Sequence, residues 1–284
     1  MTGSVSETRA RTELETLNIA PVVYGSAGVD LDDPAELFHE ASKLSPRMLE
    51  HRWPGPRLLA TSGQVRATAT RAVKRHPSAR RIPLPAGGLG DASLETALRA
   101  RRSGRSFGAA PLALRDVGTL LRAAYGVTHD AADAPQPCRS VPSGGALYPL
   151  DVYPVIRRVG GAAPGTYHFD PLAETLEVLA SEGPQPPLGP FTAYPDLFDG
   201  AGVVFLIAAM FWRTRFKYGL RGYRFALLEA GHLAQNMLLA ATGLGLVAVP
   251  VGGFFDRLVD EFLALDGVNE SVLYAVSVGS EPHS

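Results

Sequence analysis

The sequence predicts an α+β fold. Strands and helices do not alternate along it in the strict order that a doubly wound parallel sheet requires. A continuous apolar run from Val203 to Ala209 reads as a strand buried on both faces. Two short stretches, 166–169 and 175–179, flank Asp170-Pro171 and read as a hairpin.

The remaining elements follow in chain order. Residues 1–33 are a polar lead, and the first 18 lack the apolar core of a secretory signal, so none is expected. Asp32-Asp33-Pro34 is a helix start, and a helix over 35–43 would carry Leu37, Phe38 and Ala41 on one side. Between His51 and Gly90 stand Arg52, Arg57, Arg66, Arg71, Lys74, Arg75, Arg80 and Arg81, with no acid. This stretch reads as a solvated arm lying over an acidic surface of its own dimer; a docking surface for a partner is the alternative. Ile82-Pro83-Leu84-Pro85 and the glycines after it mark a boundary. The chain therefore divides into an N-terminal extension, 1–85, and a main domain, 86–284.

In the main domain a helix starts near Ser93, with Leu94, Ala97 and Leu98 spaced for one face. A second starts near Leu114, with Val117, Leu120, Leu121 and Ala124 in register. Residues 152–157 read as a strand that Pro154 confines to an edge or a bulge. Residues 184–190 are a proline-rich loop. A helix over 223–241 is apolar nearly all round and is expected to be buried. Residues 272–278 are the last strand.

Composition narrows the function. A chain of 284 residues with 46% apolar content holds one large domain or two modest ones. A formal net charge of −1 gives no case for attraction to nucleic acid or membrane. No apolar run is long enough to span a bilayer. Cys138 is the only cysteine, so no internal disulfide forms, and reduced cytoplasm is the expected location. The seven histidines lack paired ligand spacing, and one cysteine builds no thiolate zinc site, so no metal centre is expected. His232, in an apolar helix, reads as a core histidine. No G-x-G-x-x-G motif follows a strand, so a Rossmann nicotinamide domain is unsupported.

Four constellations carry chemistry. Arg101-Arg102-Ser103-Gly104-Arg105 crowds three guanidinium forks and a hydroxyl into five residues. Arginine makes paired, permanently charged bonds to phosphate, although cations also suit a plain helix C-terminus. Pro142-Ser143-Gly144-Gly145-Ala146-Leu147-Tyr148-Pro149 is a rigid turn whose N–H groups suit an electron-rich ring edge or oxyanion. Pro250-Val251-Gly252-Gly253-Phe254 lets backbone approach a ring closely. Lys217-Tyr218 lies between the buried strand and the long helix, where a buried Lys or Tyr beside cations can remove a weakly acidic proton.

These motifs, in this order, resemble the FMN-dependent nitroreductase superfamily, and within it the SagB-type azoline dehydrogenases. The similarity runs from Ile82 to Gly279, with an echo at Phe38-His39-Glu40-Ala41-Ser42-Lys43. The resemblance implies a nitroreductase-like fold, with a central, mainly antiparallel sheet flanked by helices, and an intertwined homodimer with FMN at its interface. It implies that Arg101, Arg102, Ser103 and Arg105 bind the FMN phosphate, ribityl chain and pyrimidine edge. Pro142, Ser143, Gly144 and Ala146 would contact the flavin ring from the opposite subunit. Gly252 and Gly253 would present backbone N–H to flavin N5 and O4, and Lys217 and Tyr218 would be catalytic. Many relatives carry a cation just after the terminal Val-Gly; here Val278-Gly279 leads to Ser280-Glu281, which predicts weaker FMN retention. The implied activity is oxidation of thiazoline or oxazoline rings to azoles in a peptide or carrier-bound intermediate, with dioxygen as acceptor and a biosynthetic partner protein as a possible associate. An NAD(P)H-dependent nitro or quinone reductase, and a non-catalytic flavin-binding subunit of a peptide-modifying complex, are the alternatives.

Overall fold

The computed structural model describes residues 33–44, 61–64, 73–130, 136–181 and 186–282. The lead 1–32, the cations Arg52, Arg57, Arg66 and Arg71, and the start of the proline-rich loop lie outside the described residues.

The chain forms two compact units, Met1–Pro46 and Arg47–Ser284. In the first, helix α1 (Pro34–Ala41) begins as the sequence predicts: the Asp33 side chain accepts the N–H of Ala35 at 2.7 Å, and Pro34 occupies the first turn.

The second unit is built on a seven-stranded sheet in which every pairing is antiparallel. Its strands are β1 (Arg81–Pro83), β5 (Leu150–Ile156), β7 (Gly165–Asp170), β8 (Thr175–Ala180), β9 (Val203–Met210), β10 (Val247–Val251) and β11 (Glu270–Gly279). They are ordered β1-β8-β7-β5-β9-β11-β10. Minor strands β2 (Leu112–Ala113) and β6 (Val159–Gly160) pair with each other, as do β3 (Val127–His129) and β4 (Cys138–Arg139). The helices are α2 (Leu94–Ala100), α3 (Leu114–Tyr125), α4 (Pro195–Asp199), α5 (Trp212–Tyr218), α6 (Leu220–Gly243) and α7 (Asp256–Phe262).

The apolar run 203–209 becomes β9, two strands from the β10 edge. Phe205 and Ile207 enter a core with Leu120, Leu121, Leu233 and Met237, while Val204 and Leu206 enter a second core with Tyr153, Phe198 and Val249. Each such side chain contributes roughly 1.5–3 kcal/mol by leaving water, which is why this run has no polar position. The predicted hairpin is β7–β8: Asp170 accepts the N–H of Leu172 and Ala173, and Glu174 takes a positive φ of 50°. In α3 the residues Val117, Leu120, Leu121 and Ala124 are all buried, as their spacing predicts.

Three expectations are corrected. Pro154 does not mark an edge, since β5 lies between β7 and β9. The β5–β7 ladder joins only Val155 and Ile156, so position 154 needs no partner on that side. Second, Leu94 and Leu98 do not share a buried face with Ala97; they are 66% and 55% exposed. Third, α6 is not buried all round. Ala226, Ala230, Leu233 and Met237 face the core, whereas Leu227 and Leu228 are 42% and 60% exposed. No helix among the described residues is long and apolar enough to cross a membrane.

Candidate active site

Ser93 caps α2 through its hydroxyl to Thr96 N–H (3.1 Å), and the helix ends at Arg101. The cluster then runs beside edge strand β10: the Gly104 N–H donates to the Ala248 carbonyl at 3.1 Å. Half-buried Arg101 reaches the Ser103 hydroxyl at 3.4 Å. Arg102 is turned back on its own helix end, donating to the carbonyls of Arg99 (2.8 Å) and Arg101 (2.9 Å). Arg105 is exposed and lines a cavity of about 720 Å³ whose walls include Tyr194, Val249, Gly252 and Gly253. Both glycines are exposed past the end of β10, and the Tyr194 ring lies 2.9 Å from where a Cβ on Gly253 would stand. The Arg cluster and the glycine turn therefore meet, with Arg102 pointing elsewhere.

A second group forms where residues 142–149 lead into β5. Ser143 precedes a 3₁₀ turn, Gly144–Ala146, in which Gly145 takes φ +68°. The Ser143 hydroxyl accepts the Tyr148 N–H at 2.9 Å and closes the turn. Pro142 is exposed, and Ser143, Gly144 and Ala146 are half-buried. A Cβ on Gly145 would stand 2.6 Å from both Lys217 Nζ and Tyr218 Oη. The catalytic candidates thus converge on the one residue of the turn that has no side chain. Lys217 Nζ lies 5.1 Å from the Tyr218 ring centroid, and Phe225 of α6 meets that ring edge-on at 5.0 Å. β5 is three strands from β10, so within one chain the two groups are separated by roughly 14 Å of sheet at the usual strand spacing.

Two buried polar clusters escaped the sequence reading. In one, Glu229 of α6 is 2% exposed and accepts the Tyr125 hydroxyl at 2.7 Å. Burial pushes its carboxyl up to about 7, against the Ser143 and Tyr125 hydroxyls and the Arg139 and Arg213 cations, which favour the charged form. Arg139 stacks over the rings of Tyr125 (4.3 Å) and Tyr148 (4.9 Å). In the other cluster, His168 joins Glu177 (3.0 Å) and Asp151 (3.3 Å), and Arg81 and Arg213 pair with those carboxylates. Burial disfavours charge on both His168 and Asp151. The carboxylates nevertheless hold the His168 pKa above its ordinary value, and Arg213 followed by His168 holds Asp151 below its own. His76 brings a third potential ligand: His76, His168 and Glu177 have ligand atoms within 4.8 Å of one another. A lone acid on the apolar face of a long helix was the signal for Glu229. The His168 partners are scattered in sequence and left none. His232 is exposed on α6 and is not the core histidine that its surroundings suggested.

The nitroreductase family model matches residues 98–280. The nitroreductase-like protein MJ1384 of Methanocaldococcus jannaschii is 39% identical over 173 residues, covering 61% of this chain and 84% of that one. The microcin B17-processing protein McbC of Escherichia coli is 31% identical over 168 residues, 55% of this chain; the match spans 57% of McbC's own length. A chain of the Escherichia coli microcin synthetase McbBCD complex, solved with truncated pro-MccB17 bound, superposes with a TM-score of 0.55 at 23% identity, covering 95% of this chain and all of that one. The chain belongs to the nitroreductase family, and its α+β architecture, a large antiparallel sheet flanked by helices, is the nitroreductase-like fold.

Proposed function

We propose that this member of the nitroreductase family is an FMN-dependent dehydrogenase of the SagB type, oxidising azoline rings to azoles in a peptide or carrier-bound intermediate. The observation that carries the reading is the convergence of Lys217 Nζ and Tyr218 Oη on Gly145. McbC, a peptide-processing protein, is a relative at 31% identity, which supports a peptide substrate and a biosynthetic partner protein.

The residues present fit FMN. A cavity of about 720 Å³ is within the range of cofactor sites, Arg105 lines it, and the exposed Gly252–Gly253 backbone borders it. Arg101, Ser103 and Arg105 would hold the phosphate and ribityl chain. When bound, FMN supplies the two-electron sink that ring oxidation needs and passes the electrons on to dioxygen. The chain's own part is proton removal. The azoline Cα–H, acidified by its C=N and carbonyl neighbours, gives its proton to Tyr218 Oη or Lys217 Nζ. Lys217 Nζ lies 5.1 Å from the Tyr218 ring centroid, so both functional atoms are within reach of one substrate position beside Gly145.

The active form proposed is a homodimer. The exposed Leu227 and Leu228 on α6, with Leu94 and Leu98 on α2, supply an apolar face for a second copy. In such a dimer the turn of one subunit would contact the flavin held by its partner's arginines, as the resemblance implies. Anaerobic addition of an azoline peptide to the flavin-loaded protein tests the reading: loss of the visible flavin band with azole formation supports it, and an unchanged band rejects it. The 39% identity to MJ1384 favours one second reading, a reductase that takes electrons from NAD(P)H. Rapid anaerobic bleaching by NADH or NADPH identifies that case.

A further inference from the structure

Glu229 is out of place in its surroundings. It sits on the core face of α6 between Ala226 and Ala230, where an apolar residue would satisfy the packing. What it touches explains its presence. Its Oε1 accepts the Tyr125 hydroxyl at 2.7 Å, and the Tyr125 oxygen in turn accepts the N–H of Leu150 at 3.2 Å. Leu150 is the first residue of β5, where the chain leaves residues 142–149. At the other end of those residues the Ser143 hydroxyl, which closes the turn on Tyr148 N–H, also favours the charged form of Glu229. One carboxyl on α6 therefore anchors the Leu150 end of the turn through Tyr125, while its second oxygen, Oε2, is buried without a hydrogen-bond partner among the described residues. Four residues earlier, on the same helix face, the Phe225 ring fills the space beside Gly144, 2.9 Å from where a Cβ would stand, and meets Tyr218 at 5.0 Å.

We propose that Glu229 is a positioning residue for the Lys217–Tyr218 pair: its buried carboxyl, acting through Tyr125, holds the glycine turn in the place on which the pair converges. This deepens the functional reading above and rests on it only in taking that pair as the base. Glu229 touches neither member of the pair; its effect passes through the turn.

The groups facing it make this anchor sensitive to protonation. α3 contributes Tyr125, β4 contributes Arg139, the turn contributes Ser143 and Tyr148, and α5 contributes Arg213 with Asp151 of β5 paired behind it. β10 and β11 pack on α6 through apolar residues such as Ala248 and Val276, and α2 through Ala97. As a carboxylate Glu229 only accepts hydrogen bonds and takes the Tyr125 hydroxyl on Oε1; once protonated it meets that hydroxyl as a neutral group, and the charge-assisted hold on Tyr125 weakens. Because burial places that exchange near neutrality, the turn should shift within the working pH range.

The test replaces Phe225 by 4-fluorophenylalanine in the flavin-loaded full chain and follows the fluorine resonance, without substrate, from about pH 5.5 to 8.5. The resonance is expected to move through one transition near neutrality in the parent, and that transition should vanish in Glu229→Gln. Tyr125→Phe removes a donor to the charged carboxyl, so it should raise the midpoint by about one pH unit. A resonance indifferent to pH, or an unchanged transition in Glu229→Gln, overturns the proposal. Should Glu229→Gln fail to fold, an unmoved midpoint in Tyr125→Phe overturns it instead. A fluorine transition in a protein that never turns over azolines leaves this inference standing and removes the azoline reading. Azoline turnover in a protein without the transition does the opposite.

Discussion

The Gly104 N–H donates to the Ala248 carbonyl at 3.1 Å, fastening the arginine cluster to edge strand β10. The bond uses a backbone acceptor that an edge strand would otherwise leave open, and it sets Arg105 beside the end of the strand, where the chain passes into Gly252. The Val247 side chain occupies the space that a Cβ at position 104 would need.

Gly104→Val should therefore push the cluster off β10. The overpacking costs about 1–3 kcal/mol of stability, and flavin content should fall with it. Urea unfolding and the flavin-to-protein absorbance ratio report the two effects separately. A variant with parental stability and full flavin would show that this contact does not organise the cluster.

The three arginines should behave differently on removal. Arg101→Ala with Arg105→Ala takes away charge-assisted bonds worth roughly 1.5–3 kcal/mol each, so FMN affinity should drop by about 10²-fold or more. Arg102 spends its guanidinium on the Arg99 and Arg101 carbonyls, so Arg102→Ala should retain FMN. Equilibrium dialysis against FMN checks the order. Equal losses in all variants would mean that Arg102 swings round to the phosphate.

Lys217→Ala and Tyr218→Phe should keep FMN and slow azoline turnover by about 10²-fold or more, the scale of general base catalysis. Gly145→Ala should imitate them, because its methyl group would stand 2.6 Å from both functional atoms, at a residue whose φ is +68°. Single-turnover rates on flavin-loaded protein decide the matter, and parental rates in all three variants would remove the pair from the mechanism.

Glu229 also leaves a mark on stability against pH. Burial raises its pKa from 4.5 to about 7, so between those values the folded chain keeps a proton that the unfolded chain releases. Its contribution is complete below about 4.5 and fades as pH rises to about 7, a change of about 3 kcal/mol. Asp151, held low by Arg213, acts in the opposite sense and loses its contribution as pH falls. Comparing parent and Glu229→Gln by urea unfolding at about pH 5 and pH 8 isolates the first effect. The parent should lose about 3 kcal/mol more than the variant between those values. The same pH dependence in both proteins would place the titration elsewhere.

Local pattern made much of the fold legible. β9, the β7–β8 hairpin and α3 are written in unbroken apolar runs, turn residues and helical spacing, and each lies where those signals put it. What depends on a neighbour was harder to see. Pro154 looks like an edge residue until the short β7 ladder is known, and the exposed Leu227, Leu228, Leu94 and Leu98 look like core until the single chain leaves them uncovered. In the candidate site, residue type singled out the Arg101–Arg105 motif and the Ser143–Ala146 turn, and the fold brings Arg105 beside Gly252 and Gly253 and Gly145 beside Lys217 and Tyr218. Glu229 meets Tyr125 from 104 residues away, and no local signal ties the two. The convergence of Lys217 and Tyr218 on Gly145 likewise needed the fold, since 72 to 73 positions separate them, about a quarter of the 284-residue chain.

The central claim is that a bound flavin in this chain draws electrons from an azoline ring. Its most direct test is stopped-flow absorbance with oxygen excluded, mixing FMN-loaded protein with a thiazoline peptide and, separately, with NADH. The account predicts that the peptide bleaches the flavin stoichiometrically and emerges as the thiazole, while NADH leaves the band standing. Bleaching by NADH alone, with the thiazoline recovered intact, would contradict it.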